Sequence, residues 1–400
     1  MPNPPLPSAN ALRLPETANT SAELAEMLNR RYPPPAIRLR ETEYVLPRIV
    51  VSEPVTLLGC GSTRTRLVIA YGVVAGGASL CLDRLHLLQV PRELAMPRAL
   101  IHVLRGSATL TDCRLSAWEG PGVRCDGTQG RIDLRRCQVL GRVGSAVMLT
   151  AGALGSITDC VMRGGACCVS LESAAAGTIE GTTFDASGVG VRVVEQAALK
   201  ATKLTFGGFL AVGLEVTDAG RTYVSACEWR PSSGMGVVVS SGGRLSMDSC
   251  RLGPCDQGAI LVDDAELVAN EVCIDAPKCW GMWVCHSGSA IVSTTQVRGG
   301  APAAVLVSHG AAAAFDECVV VDGNRTSWLA WYGSRVVLRN CLSSGSPWAV
   351  GVSLGAEIEI DGLLFVQPPC PPGESENSVL ALPAPCAREH RPSPSLVGAT

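Results

Sequence analysis

Charge is scarce in this 400-residue sequence, at 17%, and aromatics are scarcer still, at 4%. So few charges argue against a surface of amphipathic helices, whose solvent faces need them. The net charge is −3 and no basic stripe is interleaved with aromatics, so counterion release gives no drive toward DNA or RNA and no nucleic-acid partner is expected. No run of 18 apolar residues occurs, which leaves no candidate membrane helix and no expected membrane partner. The opening Met1-Pro2-Asn3-Pro4-Pro5 lacks a basic n-region and an apolar h-region. An intracellular protein, in cytoplasm or nucleus, is therefore expected.

What the sequence does hold is apolar residues (47%), 43 Gly, 26 Pro and 18 Cys, a balance suited to β structure with many turns. Cysteines recur at Cys113, Cys137 and Cys160, then Cys227, Cys250 and Cys273, then Cys318 and Cys341, at spacings of 23 or 24 within each group. Thr183, Leu204 and Gln296 fill the gaps. A repeat of that length signals stacked supersecondary units. The cysteines follow the hydrophobic repeat, so they are expected as reduced, buried, small hydrophobes rather than a disulfide framework.

Thr20-Ser21-Ala22-Glu23 reads as a capping box opening a short helix with Leu24, Met27 and Leu28 on one side. Four regions are expected: a disordered segment over 1–18, the capping helix and a linker over 19–35, a repeat region forming one continuous solenoid over 36–367, and a Pro-rich disordered tail over 368–400. Within that tail Val379-Leu380-Ala381-Leu382 could dock. The run beginning Tyr44-Val45-Leu46-Pro47-Arg48-Ile49-Val50-Val51 and closing on Leu57-Leu58-Gly59-Cys60-Gly61 resembles the opening of right-handed parallel β-helices of the pectin-lyase-like superfamily. The likeness extends through the repeats. It implies an all-β fold: a right-handed, single-stranded parallel β-helix of about 23 residues per coil, with a short N-terminal helix.

Each repeat carries a strand that begins with a small residue, as in Gly213-Leu214-Glu215-Val216 and Ala259-Ile260-Leu261-Val262. Alternation places its second and fourth residues inside, and the charges of Arg124, Arg192 and Glu215 fix the third position as outward. The outward row then reads Arg124, Met148, Ser170, Arg192 and Glu215, followed by the apolar run Val238, Leu261, Val284, Leu306 and Leu329, with Trp331 beside it. An apolar strip of that kind is expected to bind a protein partner or to be covered by the chain itself.

Enzymes of the superfamily that this chain resembles use clustered carboxylates on adjacent coils. Asp263-Asp264 is the best such pair, and Ser308-His309-Gly310 is similar to the Gly-His-Gly element of polygalacturonases. Asp264 and His309 lie two coils apart, however, beyond hydrogen-bond reach, and no companion motif is present. Cys279, Cys285 and His286 lack CxxC or His-x-x-x-His spacing, Cys167-Cys168 has no identifiable base, and Gly59-Cys60-Gly61 is not followed by Lys-Ser/Thr. No cofactor or metal is expected.

These residues lead to the expectation of a non-enzymatic scaffold presenting a rigid protein-binding surface. The chain also resembles the β-helices of F-box-containing proteins and of the adenoviral large early-region 1B protein, although it holds no F-box. The alternative is a polysaccharide lyase or glycoside hydrolase acting on acidic polysaccharide through Asp263, Asp264 and His309. A trimeric viral or phage fibre is a third possibility.

Overall fold

The computed structural model describes residues 14–91, 98–185, 188–209, 211–275 and 277–366. They form a right-handed parallel β-helix whose coils each contribute three short strands. Away from the two ends of the stack, each strand pairs in parallel with its counterparts one coil before and one coil after. On the first sheet Val212–Val216, Met235–Ser240, Ile260–Asp263, Met282–Cys285, Ala303–Val307 and Thr326–Ala330 lie side by side. A corner follows each of these strands, then a second sheet (Glu266–Asn270 beside Ser289–Ser293), then a tight turn and a third sheet (Cys273–Asp275 beside Gln296–Arg298).

Alternation along each strand sends one set of side chains into the coil, and parallel in-register pairing stacks that set into ladders. Val191, Leu214, Val237, Ile260, Met282 and Val305 form one such ladder across six coils, each no more than 1% exposed. Phe184, Phe206 and Trp229 form another, with ring centroids 5.1 and 4.6 Å apart. Such stacking is what a coil repeat of about 4.8 Å allows.

The helix spans Ser21–Asn29 and is capped by Thr20, whose hydroxyl accepts from the Glu23 amide at 3.2 Å, while Glu23 reaches back to the Asn19 amide at 2.7 Å. Leu24 and Met27 are buried against the first strands. One of these, Glu16–Ala18, pairs with Ile37–Leu39. This corrects the expectation of a disordered segment through residue 18, because three backbone partners were available on the first coil's edge. Residues 1–13 and the tail, including Val379–Leu382, lie outside the described residues.

The cysteine ladder sits at the turn between second and third sheets, and Cys113, Cys137, Cys160, Cys227, Cys250, Cys318 and Cys341 are free and 1–3% exposed. Each of these thiols fits because it is small and apolar yet can donate to a carbonyl one coil back, as Cys137 does to Leu110 and Cys160 to Leu134. The neighbouring Cys137 sulfur, and then burial, push the Cys113 and Cys160 thiols far above the ordinary range. Three ladder positions differ from expectation. Register places Thr182, Val272 and Thr295 there, and turns Thr183, Cys273 and Gln296 outward at the start of the next strand.

The outer row of the first sheet holds a related correction. Leu261 pairs with Trp283, which pairs with Leu306, so Trp283 occupies the outward place and Val284 belongs to the core at 0% exposure. The coil between 261 and 283 is 22 residues long, and counting 23 shifts the assignment onto the opposite face. Val238 and Leu261 are half-buried, while Leu306 and Leu329 are 9% and 6% exposed because Trp283 and Trp331 lie against them. At Leu306 and Leu329 the row is therefore covered by its own tryptophans, while Val238 and Leu261 remain partly open.

Candidate functional site

The corner after each first-sheet strand takes a left-handed backbone, and in most coils a small or flexible residue occupies it, such as Ala151, Ser241 or Asp264. Four successive coils carry a larger residue there, His286 (φ 52°), His309 (φ 55°), Tyr332 (φ 48°) and Leu354 (φ 55°), and the first three are ring side chains. A bulky residue in this region is uncommon and strained, and such positions concentrate at functional sites. In-register pairing stacks the three rings, with centroids 5.3 Å apart for His286 and His309 and 5.0 Å for His309 and Tyr332. Trp331 tilts against Tyr332 at 4.5 Å. The faces are turned toward one another, so ring edges, with their nitrogens and the phenol oxygen, remain for solvent.

Neighbouring side chains fix the two imidazoles in opposite senses. His286 Nδ1 lies 2.5 Å from Asp263 Oδ1. A carboxylate only accepts, so the neutral ring carries its proton on Nδ1 and leaves the Nε2 lone pair outward. His309 is held differently: its Nδ1 is 3.0 Å from the Ser308 hydroxyl, to which Trp283 Nε1 donates at 2.9 Å. Ser308 is fully buried, and its hydroxyl hydrogen has one acceptor among the described residues, His309 Nδ1. Leaving that hydrogen unpaired would cost about 1–3 kcal/mol. The network therefore assigns His309 an Nε2–H pointing away from Ser308.

The expected catalytic set is thus rearranged. Asp263 and His309 are brought into one site, but by His286 on the coil between them, and Asp264 stands at the corner position of Asp263's own coil. Trp283, Ser308, His286 and Tyr332 were not in the expected set, although His286, His309 and Tyr332 recur at a spacing of 23 that a column search at the corner would have met. Of the expected binding residues, Trp331 joins the site, Leu306 and Leu329 form its dry backing, Val238 and Leu261 lie on earlier coils, and Val284 is inside.

A donor set for a cation is also present. One atom each of Asp263, Cys285 and His286 lie within 4.8 Å of one another. Burial, and then the Asp263 charge, push the Cys285 thiol up to about 12.

A further concavity lies on another sheet. It is an open groove of about 580 Å³ lined by Ser107, Thr109, Arg131, Asp133, Ser156 and Thr178. Its carboxylate is already paired, Asp133 with Arg135 at 2.6 Å, and it holds no residue able to exchange a proton near neutral pH.

Residues 121–297 match the family described as right handed beta helix region. No curated protein matches the chain. Among solved structures it is similar to a GH87 α-1,3-glucanase catalytic domain bound to tetrasaccharides, at 10% identity and TM-score 0.49, over 89% of this chain and 70% of that one. It is also similar to the thermostable GH87 α-1,3-glucanase of Streptomyces thermodiastaticus, at 12% identity and TM-score 0.48, over 88% and 66% of the two chains. A third likeness is to the A-module of a mannuronan C-5 epimerase of Azotobacter vinelandii, at 12% identity and TM-score 0.40, over 88% and 97%. At these identities the likeness speaks for the fold. The expectation was a non-enzymatic protein-binding scaffold; the solved structures that the fold resembles are instead catalytic domains.

Proposed function

We propose that the protein is an enzyme that cleaves a uronate-containing polysaccharide by elimination at the corner column of His286, His309 and Tyr332. The observation that carries this reading is the pair of oppositely held imidazoles, one presenting a lone pair and the other an N–H, one coil apart. Elimination needs both. His286 Nε2 takes the proton from the sugar carbon next to the carboxylate, the freed electron pair becomes a carbon–carbon double bond, and the glycosidic C–O bond breaks. The Tyr332 hydroxyl gives its proton to the departing oxygen, while His309 Nε2–H holds the substrate carboxylate. Asp263 stabilises the imidazolium formed on His286, as a carboxylate oriented on a catalytic histidine does. Hydrolysis by two free carboxylates is less well supported, because Asp263 is already engaged by His286.

The test is turnover of a panel of polyuronates, followed by the ultraviolet absorbance of the unsaturated sugar end. His286→Gln is expected to lower kcat by at least about 100-fold, the low end for a lost general base. Absence of unsaturated products from every polyuronate, or a fully active His286→Gln, would overturn the reading.

A further inference from the structure

We propose that Asp263, Cys285 and His286 form a binding site for a borderline-soft divalent cation of the zinc class. The three donors come from rigid parts of the fold. Asp263 ends the strand Ile260–Asp263 and pairs directly with Cys285, the last residue of Met282–Cys285. His286 is the next residue, and its left-handed backbone turns the imidazole toward Asp263. Carboxylate oxygen, thiol sulfur and ring nitrogen all lie within 4.8 Å of one another. Around zinc, bonds of about 2.0–2.3 Å put tetrahedral donors roughly 3.3–3.8 Å apart. The longest separation must shorten by about an ångström and the 2.5 Å pair of His286 Nδ1 and Asp263 Oδ1 must open by a similar amount, which rotation of the partly exposed Asp263 and His286 side chains supplies.

Donor chemistry selects the ion. One sulfur, one imidazole nitrogen and one carboxylate oxygen suit zinc and its neighbours, whereas calcium and magnesium favour oxygen throughout. A thiolate and a carboxylate together carry two negative charges, which one divalent cation balances. Cys285, 2% exposed, closes the inner side, and the exposed His286 leaves a fourth position open to solvent. Binding displaces the thiol proton into solvent and moves the single proton of the neutral His286 ring from Nδ1 to Nε2, as thiol and imidazole ligation requires. A metal-bound Nδ1 leaves the ring proton on Nε2, so the loaded corner no longer offers the lone pair used in the elimination. This last consequence rests on the proposed function; the cation site itself does not.

The experiment titrates the full chain with Co²⁺ under reducing conditions and follows the sulfur-to-cobalt charge-transfer band in the near ultraviolet, with Zn²⁺ as competitor. One equivalent is expected to produce the band and zinc to abolish it. Cys285→Ser should remove the band, and His286→Gln, at an exposed side chain that leaves the core untouched, should weaken affinity by more than the roughly 10–100-fold that a lost outer-shell partner costs. No band in the unaltered protein, an undiminished band in Cys285→Ser, or unchanged affinity in His286→Gln would each overturn the site. Cation binding by a chain that cleaves no polyuronate when metal-free would leave the site standing and remove the proposed function. Cleavage without binding would do the reverse.

Discussion

One face of the β-helix carries two different surfaces built on the same backbone. Over the coils from His102 to Glu215 the outward row is mostly polar, and its charges are paired with neighbouring side chains. Asp126 takes His102 Nε2 at 2.7 Å and Arg124 Nε at 2.9 Å, Ser170 donates to Glu172 at 2.7 Å, and Arg192 meets Glu215 at 2.6 Å. From Val238 to Tyr332 the row turns apolar and aromatic, and the adjoining corner acquires His286, His309 and Tyr332. Polar atoms in the first region are spent on each other. In the second, tryptophans and leucines form a dry wall beside ring nitrogens that face outward without a partner among the described residues, and this is where a ligand finds unsatisfied groups. Charge density alone would have pointed to the wrong end.

The largest effect tests which face each residue occupies. Val284→Asp puts a carboxylate into a 0% exposed core position and is expected to cost about 4 kcal/mol or more, or to prevent folding. Val238→Asp, on the outward row, should stay within about 1 kcal/mol. Equal losses in denaturant midpoint would mean the two faces are not distinct.

Activity separates the two regions next. His286→Gln should lose about 100-fold or more in turnover, whereas His102→Gln, in the self-paired region, should stay within about twofold. If both histidines mattered equally, the contrast between spent and free polar atoms would fail. A smaller effect is expected for Trp283→Phe, which keeps an aromatic ring against Leu306 and removes the donor to Ser308. The Ser308 hydrogen keeps His309 Nδ1 as its acceptor, so the ¹⁵N resonances of His309 should still show the proton on Nε2, while the loss of the bond that orients Ser308 lowers turnover about tenfold, the worth of one hydrogen bond. Proton density moving to Nδ1 would show that the Ser308 hydrogen does not set the tautomer.

The parallel coils, the inward ladders and the shielded cysteines were legible in the sequence because in-register stacking repeats chemistry at a nearly constant interval. What was lost came from a coil one residue shorter than its neighbours. Counting 23 from Cys250 reaches Cys273 and from Leu261 reaches Val284, but register sets Val272 and Trp283 at those places. Side chains alternate, so a slip of one exchanges inside for outside. The same miscount hid Trp283, hence the Ser308 bridge to His309. His286 was visible as a residue but not as the link between Asp263 and His309, since a separation of two coils on paper does not show what stands on the coil between.

The self-paired region should reveal itself most gently, through acid stability. Burial alone would raise the Asp126 carboxyl, but the hydrogen bonds from His102 and Arg124, with the charge of Arg124, outweigh it and hold the group below the ordinary carboxylate range. A carboxylate depressed in the folded state adds stability that is fully present above its unfolded value of about 3.9 and is lost as pH falls through the lower folded value. Asp126→Asn should therefore cost stability at neutral pH, by about 1 kcal/mol for a partly exposed pair, and should flatten the decline in stability below about pH 4. Thermal melts from pH 7 to pH 2 on both proteins measure this. Parallel acid limbs would mean that Asp126 gains nothing from its partners, and the charged row would then not be self-satisfied after all.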